Sequence, residues 1–285
     1  MAASDLTRMA WLDPAGPARL TLAFGPDAPA SALRPPLPVL RGTALQEVWH
    51  SADSRLSFGT LVLDAADPES AAREGYRQIF AACRQAGCPH LLRVSHYLGD
   101  ITGDAGARYR AFNAGRHAAF AEDEYTVPPA ACGLGTPDSA LHLAWIAAAL
   151  PGTPVENPRQ DSAWRYPPRY GRRAPLFARA MLMPPALAPM LLISGTASIL
   201  GHESRHPGDV AAQTCEMLAN IEALIAAARF VPRRMSMRVY LRHPADLEVV
   251  VKLVEAAFPD AVALYLHAAI CRDELLVEAE AVAEA

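Results

Sequence analysis

The chain has 285 residues, of which 52% are hydrophobic and 20% charged, and its formal net charge is -4. That length supports two domains, or one large one, with a sizeable core. The composition excludes collagen-like, coiled-coil and disordered classes, and the charge argues against a large nucleic-acid footprint.

Residues 1–36 hold scattered Pro, Gly and Ala and read as an extended lead-in. Residues 57–63 form a strand pattern. Asp67 and Pro68 then start a helix, with Asp at the N-cap and Pro at the first helical position. Ala72, Tyr76, Ile79, Phe80 and Cys83 follow at helical spacing. LLRVSHYL (91–98) reads as a strand, 109–120 as a second helix, GLGTPDS (133–139) as a turn, and ALHLAWIAAAL (140–150) as a strand.

The order then repeats. MLLISG (190–195) is a strand, and Asp209 opens a helix with Val210, Thr214, Met217, Ile221, Leu224 and Ile225 on one stripe. MSMRVYL (235–241) is a strand, and Pro244 starts a helix through Leu247, Val250, Val251, Val254 and Phe258. Residues 261–270 and 275–283 close the chain as strands. The echo of RVSHYLGDI in RVYLRHPADL points to an internal duplication of about 100 residues per unit. The expected organisation is therefore a lead-in (1–36), one unit (37–151), a connecting loop (152–185) and a second unit (186–285). The loop is rich in Arg and aromatic residues, and four prolines in 156–180 bar a long helix. Long loops of this composition are more often functional than idle.

Several chemistries are not expected. The five cysteines are odd in number and form no C-x-x-C, so neither a disulfide framework nor a zinc ribbon is indicated. Lys252, the only lysine, is the single Schiff-base candidate and sits mid-helix. HESRH (202–206) matches the H-E-x-x-H zinc signature, which works only on a helix. Gly201 before it and Pro207-Gly208 after it favour a loop, so no metal is expected. GLGTPDS makes no dinucleotide fingerprint, and no cofactor is expected. Without a leader pattern or an apolar run of membrane-spanning length, the expectation is a reduced, cytoplasmic protein off the membrane. The last strand is more informative. Val277, Ala279 and Ala281 fall on one face, and Glu278 and Glu280 on the other. A face with two carboxylates is not plain core.

The second unit resembles the YjgF/RidA family through ISG, GDVAAQTCEMLANIEALI, RVYL and LLVEAEAVA. Residues 37–285 as a whole resemble the chorismatase family more closely. The matching segments are RYRAFNAGRHAAF (108–120), NPRQDSAWRYPPRYGRRAPLFARA (157–180), SGTASILGHESRHPGD (194–209) and CRDELLVEAEA (271–281). Trp164 stands where that family's pattern has Tyr. The resemblance implies an α+β fold of two RidA-like (chorismate-mutase-like) units, each a mixed sheet with two helices packed on one face. The first unit would be degenerate and the second catalytic, with the active site in the C-terminal half of a monomer rather than a trimer. The implied substrate is the small molecule chorismate, with no nucleic-acid or membrane partner. The implied products are pyruvate and 3-hydroxybenzoate, with 4-hydroxybenzoate as a further one, in secondary metabolism. Alternatives are a chorismate hydrolase releasing a dihydroxycyclohexadiene carboxylate and a RidA-like imine deaminase.

Chorismate carries two carboxylates, which call for planar cationic donors. Arg116, Arg173 and Arg179 lie in the matched segments, with Tyr166 and Tyr170 as hydroxyl donors beside them. Thr196 and Ala197 are expected to line the same pocket. The resemblance points Glu278 into the cleft. Enol ether cleavage needs a proton on the terminal methylene, and a carboxyl with a raised pKa can deliver it. Glu280 is expected to be solvated or structural. Cys271 is expected to exclude water by its bulk. In the resembled family, Cys at this position goes with aromatic product, whereas Ala at the position of Ala197 goes with hydrolysis.

Overall fold

A computed structural model describes residues 9–11, 45–50 and 55–285 apart from position 188. Strand β1 (Met9–Trp11) is the described part of the lead-in. It pairs parallel with a strand of the second unit, so those three residues belong to a sheet.

The first unit runs β2 (Leu45–His50), β3 (Leu56–Asp64), α1 (Pro68–Gln85), β4 (His90–Gly99), α2 (Gly103–Glu122), β5 (Ala130–Thr136) and β6 (Ala140–Ala148). Helix α1 starts where its cap chemistry says it should. The Asp67 carboxylate accepts from the Glu69 N–H at 3.1 Å, and Pro68 occupies the first turn. Such a cap contributes about 1 kcal/mol. Helix α2 begins earlier than its periodicity suggests. Its first turn is broken by Asp104, Ala105 and Gly106 in left-handed geometry, with φ of 51°, 51° and 79°. Strand β5 overturns the expected turn at 133–139. Gly133 to Thr136 are paired to β4, and only 137–139 make the turn.

The connecting segment carries β7 (Thr153–Val155) and β8 (Ala180–Leu182), short strands that open and close it. The second unit continues with β9 (Met190–Ala197), β10 (Ile199–Leu200), β11 (Glu203–Ser204), α3 (Val210–Ala227), β12 (Arg234–Leu241), α4 (Leu247–Ala257), β13 (Val262–His267) and β14 (Val277–Glu284). Asp209 caps α3 by accepting from the Ala212 N–H at 3.0 Å. Pro244 opens a single 3-10 turn, and α4 proper starts at Leu247.

The two units share one topology. The first sheet has the order β2-β3-β6-β4-β5, and the second contains β8-β9-β14-β12-β13 in its seven strands. In each, the strand after the first helix pairs parallel with the strand after the second. The duplication read from the echo is therefore a duplication of fold, in the α+β class. Each sheet puts one face on its own helices. The other faces meet, with Tyr97, Cys132 and Leu134 packing on Ala197, Tyr240 and Leu266. The layers run helices, sheet, sheet, helices. Among the described residues, no helix is long and apolar enough to cross a membrane.

Candidate active site

Strand alternation sends Val277, Ala279, Ala281 and Ala283 into the helix-side core and turns Glu278 and Glu280 toward the layer between the sheets. Strand β14 is central, paired to β12 and β9. Both carboxylates are consequently buried, at 4% and 1% exposure. The solvated reading of Glu280 is overturned, and the structural one fits. Its Oε2 accepts from Arg93 Nη2 at 2.5 Å, while its Oε1 accepts from Tyr240 Oη at 2.8 Å and from Arg238 Nε at 2.6 Å. Tyr240 spends its proton on Glu280, so the Tyr97 hydroxyl donates to the Tyr240 oxygen at 2.9 Å.

These surroundings drive the two acids apart. Burial, reinforced by the Glu280 charge and only partly offset by Arg272, pushes Glu278 up to about 8. Burial would raise Glu280 too, but Arg238 and Arg93 outweigh it and hold that carboxylate well below the usual range. At neutral pH Glu278 carries a proton and Glu280 a charge.

The register of β9 against β14 shifts between Ala279 and Ala281, and the bulge brings Gly195 against Glu278. A Cβ at Gly195 would lie 2.1 Å from Glu278 Oε1. Only glycine lets the carboxyl rest there.

Glu278 lines a cavity with about 620 Å³ of empty space, part of it open at the mouth. The first unit contributes His96, Tyr109, Phe112, Arg116 and Cys132 to its walls, the connecting segment Tyr166, Phe177 and Arg179, and the second unit Ala197, Cys271 and Arg272. The expectation of a site within the C-terminal half is corrected: the two units enclose it together, because their sheets pack face to face.

Arg116 and Arg179 are 2% and 3% exposed. Arg116 donates to the Leu176 carbonyl and lies 5.4 Å from the Tyr76 ring centroid. Arg179 Nη2 donates to the Asp161 carbonyl at 2.7 Å and to Tyr166 Oη at 2.6 Å. All these acceptors are neutral, and the Nε atoms of both arginines have no partner among the described residues. Among the described residues neither guanidinium is ion-paired; Glu156, which accepts from the Arg179 backbone N–H at 3.3 Å, only neighbours the Arg179 charge, so buried donors remain for a ligand carboxylate.

His96 has an assignable tautomer. Its Nδ1 lies 2.5 Å from the Cys132 carbonyl, which can only accept, so Nδ1 carries the proton and Nε2 accepts from Tyr76 Oη at 2.6 Å. Burial and Arg116 keep the ring neutral. Cys271 is half-buried between cavity and mouth. Burial, then Glu278, pushes its thiol up to about 12, so it is no thiolate nucleophile.

Residues 37–147 match the family described as "Chorismatase FkbO/Hyg5-like, N-terminal". A 3-hydroxybenzoate synthase of Streptomyces hygroscopicus is 36% identical over 233 residues, which are 74% of this chain and 68% of that protein. The chain belongs to the chorismatase family. A chorismatase of Streptomyces rapamycinicus is also 36% identical, over 227 residues covering 73% of this chain and 68% of its own length. A crystal structure of a chorismatase superposes with a TM-score of 0.75 at 30% identity, covering 83% of this chain and 77% of that one.

Of the nine residues that the chorismatase resemblance singled out, six line the cavity: Glu278, Cys271, Arg116, Tyr166, Arg179 and Ala197. Tyr170 sits at the mouth. There its hydroxyl donates to the His202 carbonyl at 2.8 Å, and its ring lies 4.2 Å from the Arg272 guanidinium carbon. Two do not join them. Thr196 is buried and donates to Ser194 O on its own strand at 2.8 Å, because β9 turns it away from Glu278. Arg173 lies in a separate outer groove with Arg110, His117 and Arg172. The HESRH segment is β11 and its flanking turns. His202 Nδ1 is 2.7 Å from Asp161 Oδ2, and His206 Nε2 is 3.5 Å from Glu216. Sequence reasoning missed His96, Tyr109 and Arg272. Arg272 had a signal, being next to Cys271 in the matched CRDELLVEAEA segment.

Proposed function

We propose that this protein converts chorismate to 3-hydroxybenzoate and pyruvate. One observation carries the reading: a protonated carboxyl, Glu278, shares a cavity with two buried arginines whose Nε–H groups have no partner among the described residues. Chorismate is a dianion with an acid-labile enol ether, and it supplies what each of these groups lacks. The family membership points the same way.

Arg116 and Arg179 hold the substrate carboxylates, and Tyr166, already bonded to Arg179, fixes the geometry of that clamp. Glu278 protonates the enolpyruvyl methylene, creating an oxocarbenium-like leaving group on ring carbon 3. The neighbouring C4 hydroxyl displaces it, releasing pyruvate, and returns its proton to the Glu278 carboxylate. The resulting epoxide opens to 3-hydroxybenzoate. Atoms balance without net water. Cys271 fills the space between cavity and mouth and keeps water off ring carbon 3. The neutral His96 offers no competing proton. Both cavity walls come from one chain, which supports a monomer as the working unit. Five free thiols support a reducing, cytoplasmic setting.

The test is incubation of pure protein with chorismate, with pyruvate assayed enzymatically and ring products separated by chromatography. Equimolar pyruvate and 3-hydroxybenzoate is the expected result. Pyruvate with only the dihydroxy acid would replace the reading with hydrolysis, and no pyruvate would end it.

A further inference from the structure

We propose that Glu280 is a positioning residue for catalysis: it engages both guanidiniums behind the cavity, Arg93 and Arg238, and so leaves Glu278 free to keep its proton. This rests on Glu278 as the acid of the reaction proposed above.

The geometry is specific. Glu278 and Glu280 share one face of β14, two residues apart. Arg93 reaches across from the other sheet, and its Nη2 also donates to Ile193 O at 3.1 Å. Arg238 sits opposite Glu280 in the β12 register, as Tyr240 sits opposite Glu278. Both guanidiniums converge on Glu280, and Tyr240 adds a third donor. Glu278 accepts none of these bonds. An arginine beside a carboxyl lowers its pKa by about 1–3, enough to ionise an acid that must be protonated to work. Glu280 therefore acts as a decoy anion, without which either arginine has Glu278 as its nearest carboxyl on that strand face.

The charged and titratable groups around Glu278 come from every packed element. Glu280 lies on β14, Tyr240 and Arg238 on β12, Arg93 and His96 on β4, Cys132 on β5, Tyr109 and Arg116 on α2, and Cys271 and Arg272 in the preceding loop. Burial keeps His96 neutral and the thiols and tyrosines protonated. Arg272 is the counterweight on Glu278 itself, and among the described residues neither Arg93 nor Arg238 bonds to it.

The experiment is the pH profile of kcat/KM for pyruvate release in wild type, Glu280→Gln and Glu280→Gln/Arg238→Met. Glu280→Gln is expected to move the alkaline limb down by about 1–3 on the pH scale, with activity partly recovered in acid. Removing Arg238 as well is expected to bring the limb part-way back. A merely structural Glu280 would lower activity equally at every pH with the limb unmoved, and that outcome overturns the proposal. Thermal melts report whether Glu280→Gln folds. If it does not, Arg238→Met in the wild-type background is expected to raise the limb, and an unmoved limb there overturns the proposal. If wild type releases no pyruvate, the assignment of function fails, a result distinct from an unmoved limb in an active enzyme.

Discussion

The two units have the same strand order and the same helices, yet among the described residues their central strands differ: β14 presents two acids to the layer between the sheets, and its counterpart β6 presents none. The registers make the comparison residue by residue. Arg93 pairs with Ile146 in the first sheet, and its counterpart Arg238 pairs with Glu280 in the second. Two positions along, Ser95 faces Ala144, whereas Tyr240 faces Glu278. The first unit thus keeps the arginine but has small or apolar residues where the second has carboxylates. Its Arg93 has no acid of its own sheet at that register and takes Glu280 from the other. Duplicated topology supplies the scaffold, and asymmetric side chains on it supply the chemistry.

Making the second unit resemble the first should cost most. Glu278→Gln is expected to lower pyruvate release by about 10²–10⁴-fold while leaving chorismate binding largely intact by calorimetry. In the proposed mechanism the working form of Glu278 is protonated, so kcat/KM is expected to hold below about pH 8 and to fall above it. A fall beginning near pH 4–5, the ordinary range for a carboxyl, would show that the asymmetry in charge state is absent. Next in size is the first unit's own contribution. Arg116→Ala is expected to weaken chorismate binding by about 2–5 kcal/mol, since it strips a desolvated charge partner. Unchanged affinity would return the site to the second unit alone.

A smaller effect is expected in product choice. Cys271→Gly opens space for one water beside the mouth and should raise the dihydroxy acid fraction in chromatography. An unchanged ratio would show that Cys271 does not exclude water. The smallest effect is expected for Arg173→Ala. Its groove is not the cavity, so kcat/KM at moderate salt should stay within about threefold of wild type, a difference of less than 1 kcal/mol. A larger loss would extend the site beyond the walls described here.

Much of this was legible in local sequence. Asp67 and Asp209 announce α1 and α3 because a cap is a contact with the next few residues. The alternation around Glu278 assigns its face for the same reason. Strand β5 was not legible. A Cβ at Gly135 would lie 2.7 Å from the Ala269 Cβ, which leaves room only for glycine, and one at Gly133 would crowd the Tyr109 ring at 3.2 Å. Glycines demanded by close approach read as a turn when the approaching partner is distant in sequence. The state of Glu280 was hidden likewise: Arg93 lies 187 positions away. Arg173 shows the opposite failure. It shares a matched segment with Arg179, yet the chain turns it into another groove.

The connection between the units has a further consequence. A catalytic cleft assembled from separate chains dissolves on dilution, when its halves drift apart. Here the segment carrying Tyr166 and Arg179 tethers one wall to the other while forming part of the lining itself. Meeting of the walls is an intramolecular event with a high effective concentration. If the chain works as the monomer proposed above, turnover per molecule does not depend on how many molecules are present, and the rate per molecule is expected to hold on dilution.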